Sequence, residues 1–525
     1  MRTLLQVGHK WLTAICLLGG GLMNMQAQTY AQIPTAEQVG ATCMPDTIAP
    51  IHAPFDMPQL YKPFFPNYTV ELSKKQLKKY SLVSVAIQKA IDEVSAKGGG
   101  KVVVPSGVWK TGRIILKSNV NLHLAEGTEL HVSGRIEDYL PVVFTRSAGI
   151  EGMSLGSFIY AENQENIALT GKGKLIGPER DCAILKQNIG YGDFDKYIAY
   201  EKPARERIYD GHDGTPVFLP TFIGPVNCRN VLIEGVSLER SVFWNIVPTY
   251  CDGVIIRGVT VNSVGIPTGD GMDIESCRNV LIEYNTLATG DDCFTIKSGR
   301  GIDGLRVNRP TENIVLRYNL SLTGHGGITC GSETAGMIRD VYAHDCVFQG
   351  TDVGIRFKTR RPRGGGGENL YYERIRMNIN ATAIHFDMLG SSRYVGALAG
   401  REWKDPDKFT PVYRNVDIKD VVIEKASYFL KVGGIPESPA RNVCISNVTA
   451  HTEKLMLIND MNGLKIENTE LHSPDSLIEI SNGRNLRFEQ VKFNVGGGKL
   501  FKKVEGALSE NIYFVDCFPS KLENK

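Results

Sequence analysis

Nothing in the 525 residues gives the chain a strong charge of one sign: 59 Lys and Arg stand against 57 Asp and Glu, a formal charge of +2. The small excess lies in the first 27 residues, where Arg2 and Lys10 face no acids. A near-neutral body has no global field for nucleic acid or anionic lipid, so an anionic partner has to be held by a local basic cluster. No apolar run long enough to span a bilayer follows Met23, which argues against a transmembrane segment. Cys-x-x-Cys is absent, and with it the usual redox and zinc signatures. The basic, Gly-rich "RRPRGGGGEN" at 360–369 lacks the strand, Gly-loop and Lys-Ser/Thr order of a phosphate cradle. A Leu-x-x-Leu-x-Leu consensus is missing too, which sets aside leucine-rich repeats.

What is present begins with "MRTLLQVGHKWLTAICLLGGGLMNMQAQ": basic residues, an apolar run from Trp11 to Met23, and a small-residue site at Met25–Ala27. This is the pattern of a secretory signal peptide. It predicts export to the periplasm or beyond, with cleavage near Ala27. Hydrophobic content of 42% and charged content of 22% are those of a folded, soluble protein. Of the 11 cysteines, Cys228, Cys251 and Cys277 each stand just before a strand-like phrase, and they read as a buried ladder of small side chains rather than as redox or metal groups.

The chain repeats itself. "RNVLIEGVSL" at 229 returns as "DGVIIRGVTV" at 252, "RNVLIEYNTL" at 278, "ENIVLRYNLS" at 312, "RNVDIKDVVI" at 414 and "RNVCISNVTA" at 441, with weaker copies to 510. Within a copy, apolar residues such as Val231, Ile233, Val236 and Leu238 alternate, the period of a strand. One short strand phrase per 20–30 residues predicts an all-β fold, a right-handed parallel β-helix (solenoid), from about residue 98 to 520. Ahead of it, "SLVSVAIQKAIDEVSAKGGG" predicts a capping helix with Val85, Ile87, Ala90, Ile91 and Val94 on its apolar side, ended by Gly98–Gly100. The predicted division is residues 1–27 signal peptide, 28–80 extension and 81–525 one catalytic domain. Two stretches break the period, at 178–221 and 388–411, and read as loop insertions, a place where solenoids carry binding residues.

If the turns stack, Asp270 in "TGDG" and Asp291-Asp292 in "GDD", 21 residues on, lie side by side. One turn further comes His325 in "GHG", and one more brings Arg356 and Lys358 in "RFK". Acids at one end of a row and bases at the other suit glycosidic cleavage of an acidic sugar. One carboxyl donates a proton to the leaving oxygen and another, ionised, activates water. Crowding separates their proton affinities. An inverting route calls for a carboxyl separation of about 6.5–9.5 Å. Arg356 and Lys358, two apart on a strand, can both face a sugar carboxylate.

In these four motifs the sequence resembles the polygalacturonase family of pectin-degrading glycoside hydrolases, family 28, and its bacterial exo-acting members. The resemblance implies Asp291 as general acid, Asp270 and Asp292 as holders of the attacking water, and His325 as support for the acid's protonation or as a sugar contact. It implies Arg356 and Lys358 as binders of a galacturonate carboxylate, with Thr268 at a further substrate contact. Apart from the resemblance, the basic turn 360–369 reads as lying beside the cleft, with Arg360 as a carboxylate contact. It implies an inverting reaction with no metal or cofactor, and a pectic polysaccharide or oligosaccharide as partner of a monomer. The sequence departs from the family at Thr268-Gly269, where Asn-Thr is usual. It also lacks a clear sugar-binding Tyr near "AIHFDMLG", where Met388 stands. Asp273 reads as structural, and Glu333 as a cleft residue or a turn cap with equal weight. The alternatives are a hydrolase of rhamnogalacturonan or another pectin, a β-helix lyase, and a non-catalytic glycan-binding solenoid. His325, standing between the acids and Arg356, favours hydrolysis over a lyase.

Overall fold

The computed structural model describes residues 33–190 and 193–525. The signal-peptide expectation for residues 1–27 lies outside them. The described chain is mostly β, and its strands join in parallel. The repeated phrases form one ladder: Ile233 pairs with Ile256, Ile256 with Ile282, Ile282 with Leu316, and Leu316 with Ala343. These residues point into an apolar spine that runs the length of the ladder. The Asn that opens most phrases explains the phrase itself. Asn166, Asn230, Asn279 and Asn313 all have φ between +52° and +58°, a left-handed conformation that Asn tolerates better than most residues. Asn230 Nδ2 donates to Asn166 Oδ1 at 3.0 Å, and Asn313 to Asn279 at 3.1 Å, so each turn's amide ties to the last. Cys228, Cys251 and Cys277 are fully buried in the same stack, and the ten cysteines among the described residues are unpaired.

The phrase "NVLIE" has three apolar residues in a row, where strict alternation leaves two. The third has its own cover. Leu232, Ile255, Leu281 and Val315 point away from the spine and pack against residues 48–65 of the N-terminal extension. Arginines hold that strap by its backbone: Arg257 donates to the carbonyl of Pro45 at 2.6 Å, Arg317 to that of Ala49 at 2.8 Å, and Arg376 to that of Pro34 at 2.9 Å.

The helix is Ser84–Ala96, and it buries Ala86, Ile87, Ala90, Ile91 and Val94 against the first strands. Val85 is not on that side but exposed, because the helical period puts Ala86 there instead. The sequence also leads one to expect strands at Lys101–Val104, Arg113–Leu116 and Val120–Leu124; the first and last form as Gly100–Val104 and Val120–Leu124, and the middle one shrinks to Ile114–Ile115. The strand Gly107–Thr111 and the antiparallel pair Val143–Ser147 and Ile150–Ser154 were not foreseen. Both insertions are folded. The first packs Phe194, Ile198, Tyr209 and Phe218 against Ala148 and Ile150 in a small core apart from the spine. The second is pinned by buried Arg361, which donates to the carbonyls of Leu398 and Gly400 at 2.9 Å and pairs with Glu437.

Among the described residues, no helix is long and apolar enough to cross a membrane.

Candidate active site

A second ladder carries the polar groups. Strand Met272–Glu275 pairs with Phe294–Lys297, which pairs with Leu320–Cys330, then Thr351–Lys358, then Thr382–Asp387. Ile274, Ile296, Cys330, Phe357 and Phe386 follow one another in register and are buried in the spine. The period of two then fixes the opposite face. Asp273, Thr295, Thr329, Arg356 and His385 share one row of it, and Glu275 with Lys297, then Lys358 with Asp387, share the next.

The three acids come from the turns that lead into these strands. Gly271 N donates to Asp292 O at 3.0 Å, and His325 N donates to Asp291 O at 2.9 Å. The backbone therefore stacks Asp270 on Asp292 and Asp291 on His325. Two glycines make the approach close. A Cβ at Gly290 would lie 2.1 Å from the carbonyl oxygen of Ile266, and one at Gly326 would lie 2.6 Å from Asp292 Oδ1.

One oxygen from each of Asp270, Asp291 and Asp292 lies within 4.8 Å of the others. That is tighter than the separation expected from the sequence. Adjacent turns sit one strand spacing apart, about 4.8 Å, and Asp291 and Asp292 are chain neighbours. Cations balance the crowding. Lys358 Nζ is 3.2 Å from Asp292 Oδ2, Arg356 Nη1 is 3.6 Å from Asp292 Oδ1, and Lys297 Nζ is 3.7 Å from Asp270 Oδ2. His325 Nδ1 lies 3.4 Å from Asp291 Oδ1, and its Nε2 3.9 Å from Asp352 Oδ2.

These surroundings split the carboxyls. Burial, then the charges of Asp273 and Asp291, raise Asp270 well above the ordinary carboxylate range, with Lys297 opposing. Burial acts the same way on Asp292, but Lys358, Arg356 and Lys297 override it and hold Asp292 well below that range. The hydrogen bond to Asp291 raises His325. Asp270 and Asp292 are buried and each keeps one oxygen, Oδ1, that accepts no hydrogen bond. Asp291 and His325 reach solvent, with side chains 21% and 55% exposed.

Asp270, Asp291, Asp292, His325, Arg356 and Lys358 thus meet on one face. Thr268 sits half-buried in the turn that leads to Asp270. Arg360 is not part of the carboxylate cluster. Its guanidinium lies 5.1 Å over the ring of Tyr394, in a cavity that both insertions line. Met388 is fully buried in the spine, so it offers a sugar nothing. Asp273 is buried, accepting from Thr295 and paired with Lys297 at 3.4 Å, and Glu333 is buried between Lys297 at 3.2 Å and Arg363 at 3.3 Å. Sequence reading missed Lys297, Asp352 and Asp387, the last of which holds Arg356 at 2.7 Å. Lys297 had a signal: alternation through "FTIK" puts it on the polar face, two places from Thr295.

A family model, glycosyl hydrolases family 28, matches residues 213–393. A probable polygalacturonase of Vitis vinifera is 30% identical over 381 residues, covering 71% of this chain and 71% of that protein. The chain belongs to glycosyl hydrolases family 28. It is a glycoside hydrolase by that membership. Another family relative, the exo-poly-alpha-D-galacturonosidase of Dickeya chrysanthemi, is 26% identical over 369 residues, 65% of this chain and 60% of that protein. The crystal structure of a hyperthermoactive exopolygalacturonase from Thermotoga maritima matches with a TM-score of 0.69 and 31% identity, over 78% of this chain and 93% of that one. The span matched by the family 28 model holds all eight candidate residues, from Thr268 to Arg360, while the strap and most of the first insertion lie before it.

Proposed function

We propose that the chain hydrolyses the α-linkages between galacturonate residues of pectin, with inversion at the anomeric carbon. One observation carries the hydrolytic part of this reading: three carboxyls converge with one oxygen each within 4.8 Å, Asp270 raised and Asp292 lowered in proton affinity, beside two cations on the same face. A water lying between two oxygens at that separation keeps hydrogen bonds of about 2.7 Å to both. Asp292, held ionised, takes the water's proton, and Asp270 orients the same water. Asp291, the acid that reaches the groove, donates to the leaving oxygen. His325 keeps Asp291 aimed and supplied with a proton. Arg356 and Lys358 bind the carboxylate of the sugar at the scissile bond, the chemistry that selects an acidic chain. Thr268 and Arg360 contact flanking sugars.

The scaffold that aligns these groups is, in this reading, a right-handed parallel β-helix capped by the helix Ser84–Ala96. Residues 81–525 act as one catalytic unit, exported after loss of residues 1–27 and working as a monomer. The reading is tested on purified oligogalacturonides. New reducing ends of inverted configuration, seen by NMR in the first minutes, are expected. An unsaturated, ultraviolet-absorbing product would show a lyase instead, and binding without cleavage a glycan-binding solenoid.

Attack from a chain end is favoured over attack within the chain. Tyr200 of the first insertion and Tyr394, Leu398 and Phe409 of the second line one cavity with Arg360; in this reading the two insertions wall one end of the groove. The Dickeya and Thermotoga relatives carry exo-acting names. Early digests should then contain only short products of one size. A ladder of intermediate sizes would refute end attack.

A further inference from the structure

Lys297 lies behind the carboxyl cluster and is 3% exposed, out of reach of a saccharide. Its ammonium sits 3.2 Å from Glu333 Oε2, 3.4 Å from Asp273 Oδ1 and 3.7 Å from Asp270 Oδ2, and 4.4 Å over the ring of Trp244. It also donates to the carbonyl of Gly331 at 3.4 Å. A lysine that served only to neutralise buried acids could be placed anywhere among them. This one approaches a single oxygen of Asp270, Oδ2, and the other oxygen is buried and accepts no hydrogen bond.

We infer that Lys297 is a positioning residue for the reaction: it holds Asp270 through Oδ2, and its charge favours the ionised carboxylate that orients the attacking water. The inference rests on the role proposed above for Asp270. Its physical basis is that Asp270 stands among like charges. From the strand that follows it, Asp270 faces Asp273, with Glu275 beyond. From the next turn it faces Asp291 and Asp292, and Glu333 lies on the far side of the ammonium. The positive groups around the cluster are Lys297 itself, Lys358 and Arg356 on Asp292, Arg363 on Glu333, and Arg146 beside Glu275. Lys358 and Arg356 are committed to Asp292, so Lys297 is the cation in contact with Asp270. Its removal leaves Asp270 among anions with nothing adjacent to oppose their pull on its proton.

The test compares wild type with Lys297→Met, Lys297→Arg and Glu333→Gln. In Lys297→Met, kcat should fall at least tenfold with KM nearly unchanged, because the residue is out of the sugar's reach. The acidic limb of the kcat–pH profile should move up by about 1–3 pH units, the usual effect of an opposite charge at this distance. Lys297→Arg, which keeps the charge, should return most of the limb. Glu333→Gln should move the limb down, because the ammonium then has one anion fewer to share. That variant keeps the inference open to refutation if Lys297→Met does not fold. An infrared titration of the carboxyl bands, with Asp270→Asn marking the Asp270 contribution, reads the same shift without turnover. It separates a failure of this inference from a failure of the hydrolase reading, which would appear as inactive wild type. An unmoved limb and an unmoved Asp270 titration in Lys297→Met would overturn the positioning role, as would an upward limb in Glu333→Gln.

Discussion

Glu275 offers the sharpest test of how this site is built, because its place in the ladder is structural and its charge is costly. It stands two residues beyond Asp273 on the same strand, fully buried, and neither of its oxygens accepts a hydrogen bond. Burial pushes its carboxyl up to about 7 from an ordinary value of 4.5, Arg146 offsets part of this, and Glu333 adds to it. A carboxyl raised in this way binds its proton in the folded chain after the unfolded chain has lost it. Its contribution to stability is therefore complete below pH 4.5 and is lost as pH rises through 7. At 1.36 kcal/mol for each tenfold in proton affinity, the loss comes to about 3 kcal/mol. Glu275→Gln has the same shape and cannot ionise. Guanidinium unfolding midpoints of both proteins at pH 5 and pH 8 measure the effect. The wild type should lose most of those 3 kcal/mol relative to the variant between the two pH values. Asp273, also raised to about 7 chiefly by burial, stays in both proteins; Glu275 is among the charges that raise it, so its removal eases Asp273 too and widens the difference in the same direction. Equal pH dependence in the two proteins would refute the reasoning, because it would mean that Glu275 is not desolvated as its burial requires.

Three further outcomes are expected. Asp291→Asn should lower kcat by about 10²–10⁴-fold, the usual contribution of a general acid, with an unchanged thermal melt; near-wild-type turnover would remove Asp291 from that role. Lys358→Met should raise KM for galacturonate oligomers. It should also move the acidic limb of activity up, because Asp292 loses the cation at 3.2 Å that does most to hold it ionised. A KM rise with the limb unmoved would separate sugar binding from control of Asp292. Arg361→Ala removes the bonds that tie the second insertion to the ladder and leaves Glu437 buried without its partner, a change worth about 3–5 kcal/mol. Limited proteolysis should then cut near 388–411 before the rest of the chain, and cutting at an unchanged rate would show that Arg361 does not hold the loop.

The repeat was legible because each strand phrase carries its own reasons. Alternating Val, Ile and Leu supply the spine, and Asn supplies the left-handed turn before it. The strap was not legible, although its imprint is in the sequence. Leu232, Ile255, Leu281 and Val315 stand between the spine residues of their phrases, and nothing near them in the chain asks for cover. Their partners, Ile48, Ile51 and Leu60 among them, lie 160 or more residues away. The candidate residues at 270, 291, 292, 325, 356 and 358 could be named because stacking turns transmit sequence spacing into space. Lys297, Glu333 and Asp387 fared differently. Each has a strand-face or turn reading that is satisfied locally, and only the neighbouring turns reveal the charges they meet.

By itself the sequence determined the period, the polar and apolar faces and the order of the acids and bases along the row. These follow from backbone geometry, which converts one turn of chain into one step of about 4.8 Å. The tertiary structure alone decided the charge state of each group. Whether an aspartate holds its proton or surrenders it depends on burial and on the nearest opposite charge. For Asp292 those charges come from residues 356 and 358, two turns on, and for Asp270 from residue 297.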